Sequence, residues 1–336
     1  MGVSIKDIAK AAGVSHATVS RALRDDPRIS EQTKIRIRRI AVGMGYYPSA
    51  IARGLATGRT YTIGMVVTTI ADPFVAPIVQ GTEQKALEEG YSVVLAQSQA
   101  DPEREIAAVR LMREHRVDGV IVTASRVGEL YTPLLSELRV PVVLINNQKE
   151  GEYLYSIYVD DLAGAQMAVE YLVKLGHRKI AYVGCPGRPL SNRRRFEGYK
   201  TALGLHGIDV DDRMVVQVPG MDDLSRGRKA VDLILAGGRP SAIFCFNDLT
   251  AVGVLQVLRE KGVDVPGEVS LVGFDDIPLA SMVCPALTTV AQPKEEMGIK
   301  AMEMLLALIN GKEQENVVVK PRLVIRESTA APAATA

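Results

Sequence analysis

The sequence predicts an all-α head joined to an α/β core of two doubly wound parallel-sheet subdomains. Two observations predict this fold: apolar residues recur at helical spacing near the N-terminus, and beyond residue 61 short apolar runs alternate with amphipathic stretches. Apolar runs that are each followed by a helix are typical of parallel sheets covered on both faces. At 336 residues, the chain is long enough for two or three domains.

The segment VSIKDIAKAAGVSHATVSRAL, residues 3–23, predicts a helix-turn-helix. Gly13 permits a sharp turn, and Ser15 is a suitable N-cap for the second helix. The apolar stripe of the first helix consists of Ile5, Ile8, Ala9 and Ala12. The second helix buries Val19, Ala22 and Leu23 and exposes His16, Ala17, Ser20 and Arg21. Such an exposed face suits base edges in a major groove, although an amphipathic hairpin without that role gives the same pattern.

Charge is divided unevenly along the chain. Residues 1–60 contain 11 Lys and Arg against 4 Asp and Glu, a net charge of +7, whereas the remainder contains 29 against 35, a net charge of −6. A basic segment on a mildly acidic body is typical of a phosphate-binding module joined to a domain with another role. A third helix is predicted over about residues 31–44, with Ile35, Ile37 and Ile40 packed inward. Its cations Lys34, Arg36, Arg38 and Arg39 either contact phosphates or form an ordinary solvated face.

Residues 46–60, YYPSAIARGLATGRT, predict a hinge. Pro48 and Ser49 favour the start of a helix and Gly58 its end, so the helix has only about eight residues. A helix this short is marginal in water, and Gly54 weakens it by roughly 1 kcal/mol relative to Ala. The segment is therefore expected to order only on DNA, unless it is a plain interdomain linker.

Strands are predicted in two series. The first covers 62–67, 91–96, 118–123, 141–146 and 156–161, and the second covers 178–184, 213–218, 241–246 and 269–274. Helices are predicted over 77–89, 103–115, 163–175, 192–206, 224–236 and 248–261. Two series indicate two subdomains, and ligands of such sheets bind beyond the carboxyl ends of the strands.

Polar side chains and one aromatic ring follow the predicted strands. They are Asp72, Phe74, Thr123, Ser125, the run Ser191–Arg195, Asn247, Asp248, Asp275 and Asp276. Carboxylates, amides and guanidinium groups beside a flat apolar surface suit a polyhydroxylated or heterocyclic small molecule. Each residue alone has another explanation, because Asp or Asn after a strand is a common N-cap, and Asn247 and Asp248 fit that role.

Motifs argue against several classes of protein. The N-terminus lacks the apolar run of a signal peptide, and no stretch approaches the roughly 18 apolar residues of a membrane span, so a cytoplasmic protein without membrane association is expected. No GxGxxG after the first strand, P-loop, catalytic triad or metal-ligand spacing is visible, so no enzymatic activity, cofactor or metal is expected. A periplasmic solute receptor conflicts with the missing signal peptide and the basic head.

The chain resembles transcriptional regulators of the lactose-repressor and galactose-repressor (LacI/GalR) family over nearly its whole length. The motifs that carry the resemblance occur in the expected order: IKDIAKAAGVSHATVSRAL, PSAIARGLATG, VDGVIV, LGHRKIAYVG, RRRFEGY, FNDLTAVG, VSLVGFDDIPLA and LTTVAQP. Each is weak alone, but together they are very specific. The resemblance implies a sequence-specific DNA-binding regulator, expected to repress, that binds a near-palindromic operator on the nucleoid. It also implies allosteric control by a sugar, a sugar derivative or a nucleoside.

The same resemblance implies DNA-binding roles for individual residues. His16 and Ala17 would select bases in the major groove, and Arg21 would be bidentate to a guanine. Contacts to the DNA backbone are implied for Ser4, Thr18, Ser30 and Tyr46. In the hinge helix, Ala52 and Leu55 would enter the minor groove, where paired Leu55 side chains would kink the central base step.

For the core, the resemblance implies a periplasmic-binding-protein-like fold with the effector between the subdomains. The implied contacts are Asp72, Phe74, Arg195, Asn247 and Asp275, with Thr123 or Ser125 beside them. Many members place an aromatic ring in the loop that matches residues 219–224, but here the loop reads PGMDDL, and Met221 is the available substitute. The sequence leaves open the effector's identity, whether it induces or corepresses, and the operator sequence.

The resemblance also implies the domain limits. They are a DNA-binding domain at 1–47, a hinge helix and linker at 48–60, a core at 61–330 and a flexible tail at 331–336. The N-subdomain would comprise about 61–160 and 293–319, and the C-subdomain about 163–289 and 322–330. The tail lacks the leucine heptads that make some members tetramers, so a homodimer is expected. A protein coregulator, which some relatives use, is left open.

Overall fold

The structure, a computed structural model, describes residues 3–23, 25–46, 59–127, 140–148 and 155–333. The chain divides into two compact units, residues 1–60 and residues 61–336. The predicted hinge helix, with Ala52 and Leu55, lies outside the described residues.

The described part of the first unit contains three helices, α1 (Ile5–Ala12), α2 (His16–Leu23) and α3 (Glu31–Gly43). Gly13 ends α1 in the left-handed region at φ 63°, which glycine adopts without strain. Ser15 caps α2, because its Oγ accepts a hydrogen bond from the Thr18 N–H over 3.1 Å. The core between the helices consists of Ile8, Ala9, Ala12, Val19, Ala22, Ile37 and Ala41. The predicted helix-turn-helix is therefore confirmed.

Helix α3 differs from the prediction in two side chains. Ile35 is 53% exposed, whereas Ile37 is fully buried. The expectation that both pack inward is wrong, because residues i and i+2 of a helix point in directions about 200° apart around its axis. Lys34 is buried rather than solvated, and its ammonium lies 2.6 Å from the Glu31 carboxylate and 3.1 Å from that of Asp25.

The first sheet of the second unit has six strands in the described residues. They are β1 (Thr62–Val67), β2 (Ser92–Gln97), β3 (Gly119–Thr123), β4 (Val142–Ile145), β5 (Ser156–Val159) and β11 (Val317–Val319). Their order is β11-β5-β4-β3-β1-β2, and every pair is parallel. Helices α4 (Val75–Glu88) and α11 (Lys294–Ile309) cover one face, and α5 (Pro102–Glu114) covers the other.

The second sheet repeats this plan. Its described strands are β6 (Ile180–Gly184), β7 (Val215–Gln217), β8 (Ala242–Cys245), β9 (Ser270–Asp275), β10 (Thr288–Ala291) and β12 (Arg322–Val324). Their order is β12-β10-β9-β8-β6-β7, parallel except for β12 against β10. Helices α6 (Asp161–Lys174) and α7 (Pro189–Leu205) cover one face, and α8 (Asp223–Gly237) and α9 (Asp248–Glu260) cover the other. A short helix, α10 (Pro278–Met282), follows β9, and a 3-10 turn (Asp212–Met214) precedes β7. The predicted pair of doubly wound subdomains is confirmed.

Some boundaries differ from the prediction. Strands β10, β11 and β12 were not predicted, and β11 runs almost directly into β12 without the intervening helix that marks the other strands of the two series. Helix α7 begins at Pro189 instead of residue 192, since proline is preset for the first helical position. The predicted strand 156–161 ends at Val159, because the Asp160 carboxylate caps α6 by accepting from the Ala163 N–H over 3.0 Å.

The described chain passes between the two sheets at three places. It crosses from β5 into α6, from β10 into α11, and from β11 into β12. Each subdomain is therefore built from more than one segment of the chain, and the residues at these crossovers connect the two subdomains.

Candidate functional site

A narrow cleft, partly open to solvent, lies where strands of both sheets end. Of the residues predicted from the sequence, Asp72, Phe74, Thr123, Arg195 and Asp275 line it. The lining also includes residues that the sequence did not assign as contacts, among them Asn146, Gln148, Arg188, Phe246 and Gln292. Because the lining comes from both sheets, a molecule in the cleft would contact both subdomains.

Arg195 projects from α7 and is only 4% exposed. Its Nε donates to Asp161 Oδ1 over 2.7 Å, and its Nη1 donates to the Phe246 carbonyl over 2.5 Å. The guanidinium lies 3.7 Å from the ring centroid of Phe274 and 4.5 Å from that of Phe246. These contacts fix the guanidinium plane, and Nη2 has no acceptor within the described residues.

Asp275 is the last residue of β9 and is buried with a backbone φ of 115°, a region that residues other than glycine rarely adopt. Its Oδ1 accepts from Gln292 Nε2 over 2.7 Å and lies 3.7 Å from Arg195 Nη1. Burial raises the pKa of Asp275 to about 6, although the Arg195 guanidinium acts in the opposite direction. Gln292 Oε1 accepts in turn from Asn146 Nδ2 over 3.2 Å. A row of hydrogen bonds thus joins the end of β4 to the end of β9.

Three predicted residues lie on the first-sheet side of the cleft. Asp72 Oδ1 accepts from the Phe74 N–H over 2.9 Å, and the ring of Phe74 is half-buried against the core of that sheet. Thr123, at the end of β3, is 3% exposed, yet its Oγ1 has no hydrogen-bond partner in the described part of the chain. A buried hydroxyl without a partner is unfavourable by about 1–3 kcal/mol, so a polar ligand atom at this point would be stabilising.

Two predicted contacts do not line the cleft. Ser125 is buried, and its Oγ donates to Glu105 Oε1 over 2.6 Å. Asn247 caps α9, where its Oδ1 accepts from the Thr250 N–H over 3.0 Å, and its Nδ2 donates to Asp223 Oδ2 over 2.7 Å. Asn247 therefore lies at the helix N-terminus, as the helix-capping alternative left open by the sequence predicted.

The loop that lacks an aromatic residue does not contribute to the lining either. Met221 is 43% exposed, and its carbonyl accepts from Arg226 Nη2 over 2.6 Å. The flat apolar surfaces of the cleft are instead Phe74 on one side and Phe246 on the other.

Two pairs of side chains join the opposite walls of the cleft, and neither was predicted. Gln148 Nε2 donates to Ser191 Oγ over 3.0 Å, and Arg188 Nη2 lies 3.4 Å from Asp72 Oδ2. Gln148 is a polar residue just beyond the predicted strand 141–146, so this position could have indicated that it lines the cleft. Arg188 gave no such signal, because it lies four residues beyond its strand in a loop.

In the first unit, the predicted base-reading residues share one face of α2. His16, Ala17 and Arg21 are exposed, whereas Val19 and Ala22 are buried. The Arg21 guanidinium donates no hydrogen bond within residues 3–23 and 25–46, and only its backbone carbonyl is engaged across the turn, accepting from the Asp26 N–H over 3.1 Å. The side chains of His16, Ala17 and Arg21 are therefore exposed on this face of α2.

The residues predicted to contact the DNA backbone lie mainly at helix N-termini. Ser4 precedes α1 and its Oγ donates to Asp7 over 2.6 Å, while Ser30 Oγ accepts from the Thr33 N–H over 3.4 Å at the start of α3. Thr18 is in the first turn of α2, and Tyr46 packs on the helical core. Unpaired N–H groups at helix N-termini favour bound phosphate, so three of these positions suit the role.

The described residues contain no group of three or more His, Cys, Asp and Glu side chains that could hold a metal ion. No helix there is long and apolar enough to cross a bilayer.

Comparison with known proteins gives concordant matches. The family described as "Bacterial regulatory proteins, lacI family" matches residues 4–49, and the "Periplasmic binding protein-like domain" matches residues 169–329. The HTH-type transcriptional regulator GalR of Escherichia coli K12 is 36% identical over 98% of this chain and 96% of its own. The crystal structure of the Lac repressor dimer bound to operator and the anti-inducer ONPF has a TM-score of 0.88 at 27% identity, over 98% of this chain and 100% of that one. The CelR–cellobiose complex has a TM-score of 0.74 at 29% identity, over 97% and 99% of the two chains.

Proposed function

Because the chain belongs to the LacI family of bacterial regulatory proteins and is a DNA-binding transcriptional regulator, we propose that a small molecule in the cleft controls its binding to a near-palindromic operator. The protein acts as a homodimer and represses the genes beside that operator. One half-site is read by each subunit through the exposed face of α2, with Arg21 on a guanine and His16 and Ala17 beside it. Ala52 and Leu55 enter the minor groove between the half-sites.

The observation that carries the effector proposal is the origin of the cleft lining. Thr123 and Asp72 belong to the first subdomain, and Arg195 and Asp275 belong to the second. Of these, Asp72, Arg195 and Asp275 supply charge, and the Thr123 hydroxyl has no hydrogen-bond partner within the described residues. The CelR relative was solved with cellobiose, and this lining suits a polar molecule of the sugar or nucleoside class.

Control of DNA binding follows from the position of this cleft. A ligand that contacts both walls changes the free-energy difference between arrangements of the two subdomains. Coupling of this kind is reciprocal and is typically about 1–3 kcal/mol, or about 5–150-fold in DNA affinity. In a dimer, the subdomain angle sets the separation of the two hinge segments, which is how the effector would reach the operator.

The proposal is tested in two steps with the full-length protein. Selection from a random duplex pool should return an inverted repeat, and sedimentation of the complex should give two chains per site. A thermal-shift screen of sugars, sugar acids, sugar phosphates, nucleosides and purines should give a ligand that raises the melting temperature by mass action. Repeating the operator titration with that ligand should change the affinity at least about fivefold in one direction. A ligand that leaves operator affinity unchanged would contradict allosteric control.

A further inference from the structure

Lys294 is a buried cation beside the cleft that the sequence did not single out. It is the first residue of α11 and is 8% exposed. The partial positive charge at a helix N-terminus disfavours a cation. Burial also lowers the pKa of the Lys294 ammonium. A cation in this position is therefore favoured only by the groups that it contacts.

The acceptors of Lys294 are the two residues at the end of β9. Its Nζ donates to the carbonyl of Asp275 and, over 2.9 Å, to the carbonyl of Asp276. The backbone φ is 115° at Asp275 and 52° at Asp276, in a region that residues other than glycine rarely adopt. Such a backbone persists only where surrounding contacts hold it, and an ammonium bonded to both carbonyls is a contact of this kind.

This contact joins the two subdomains at the second crossover. Helix α11 packs on the first sheet through Met297 and Leu305, whereas Asp275 ends a strand of the second sheet. Gln292, two residues before Lys294, donates to the Asp275 carboxylate over 2.7 Å. The crossover therefore holds Asp275 by its side chain through Gln292 and by its main chain through Lys294.

We infer that Lys294 is a positioning residue for the effector site: by bonding both carbonyls, it fixes the backbone turn that places the Asp275 carboxylate in the cleft. Its ammonium also lies 6.0 Å from the ring centroid of Phe74, the apolar surface on the first-sheet side. Lys294 does not itself line the cleft, so it acts on a bound molecule through Asp275. This inference rests on the proposed function, because it concerns the same effector site.

The pH dependence of stability tests the contact without any ligand. Burial raises the pKa of Asp275 to about 6, and the nearby cations act in the opposite direction. The charged groups that act on this carboxyl are Arg188 before α7, Arg195 in α7, Lys294 in α11, Asp72 after β1 and Asp248 in α9. Without the Lys294 ammonium, the pKa of Asp275 should rise further. Stability that depends on a raised carboxyl pKa is lost as pH rises through that pKa, so the loss should extend about one pH unit higher.

Three variants separate the charge of Lys294 from its hydrogen bonds. Lys294→Met removes both, Lys294→Gln keeps one donor without the charge, and Lys294→Arg keeps both and should retain the wild-type profile. Urea denaturation between about pH 4 and pH 8 compares each variant with its Asp275→Asn double variant, so that the titration of other groups cancels. The matched control is Lys300→Met, since Lys300 lies on the same helix but pairs with Glu296 on the surface over 3.4 Å.

Binding measurements test the positioning role itself. Cellobiose, ribose and adenosine serve as probes in calorimetry with the full-length protein. A probe that binds the wild type should bind Lys294→Met about 10-fold more weakly, because the turn that carries Asp275 loses its hydrogen bonds. Lys294→Gln should give an intermediate affinity, and Lys300→Met should bind as the wild type does. Unliganded melting temperatures report the integrity of each variant.

The outcomes separate this inference from the function on which it rests. An Asp275 profile that is the same in Lys294→Met, Lys294→Gln and the wild type would overturn the inference, whatever the probes show. A shifted profile with unchanged probe affinity would show that Lys294 acts on the charge of Asp275 but does not position it. Failure of all three probes to bind the wild type would count against a sugar or nucleoside effector, while the pH profile would still decide whether Lys294 holds Asp275.

Discussion

Arg195 and Asp161 form a buried ion pair, in which Nε donates to Oδ1 over 2.7 Å. Asp161 is the first residue of α6 and follows the first crossover between the sheets. Nη1 of Arg195 is at the same time bonded to the carbonyl of Phe246, beyond the end of β8. The side chain that the cleft offers to an effector is therefore fixed to a crossover, so a ligand that displaces it would act on the segment that joins the subdomains.

This geometry gives Arg195 a role in stability that a ligand contact alone would not have. Arg195→Ala leaves the Asp161 carboxylate buried without its counter-charge, which is unfavourable by about 3–5 kcal/mol. We expect urea denaturation to show a loss of that size, together with loss of effector binding. The double variant Arg195→Met with Asp161→Leu should recover most of the stability but not the binding. Unchanged stability in the single variant would contradict the structural role of the pair.

The sequence predicted where Arg195 lies but not what holds it. The apolar runs predicted nine of the strands and the strand ends that form the cleft, because a buried strand is a local pattern. Asp161 is 34 residues from Arg195, and nothing local connects them. Arg188 was missed for the same reason, since only the packed sheets bring its loop to the cleft and to Asp72. Ser125 and Asn247 were predicted as ligand contacts but have structural partners instead. Ser125 donates to Glu105 and Asn247 caps a helix, because a polar residue after a strand can fill such a role as readily as it can bind a ligand.

Asp275 should make stability depend on pH. Its folded pKa of about 6 lies above the ordinary carboxyl value, so between about pH 4 and pH 6 the folded chain binds more protons than the unfolded chain. The contribution of Asp275 to the free energy of unfolding therefore falls as pH rises through this window, by up to about 3 kcal/mol. Asp275→Asn removes this titration, so its stability relative to wild type should increase from pH 4 to pH 6 and then level off. A constant difference in urea denaturation across this range would contradict the raised pKa.

Arg21 should carry base selectivity rather than general DNA affinity. The exposed guanidinium makes no hydrogen bond in the described part of the first unit, so it is available for a bidentate contact. We expect Arg21→Ala to reduce the preference for the selected operator over random DNA by about 1–3 kcal/mol, while much of the salt-dependent affinity remains. Competition binding at fixed salt measures both. Arg28→Ala is the control, because Asp26 holds that guanidinium at 2.6 Å. An equal loss on operator and random DNA would contradict base reading by Arg21.

Close contact between α8 and α9 should depend on two glycines. A Cβ at Gly253 would overlap the Leu224 carbonyl oxygen, and one at Gly227 would overlap the Thr250 carbonyl oxygen. Backbone atoms cannot move aside as a flexible side chain does, so Gly253→Ala should destabilise the core by about 1–3 kcal/mol or separate the helices. Gly204→Ala in α7 is the matched control, since its Cβ would enter open space and should stabilise the helix by up to about 1 kcal/mol. Urea denaturation of the full-length protein should therefore show a lower free energy of unfolding for Gly253→Ala and a higher one for Gly204→Ala. A stabilising effect of both substitutions would show that α8 and α9 do not approach so closely.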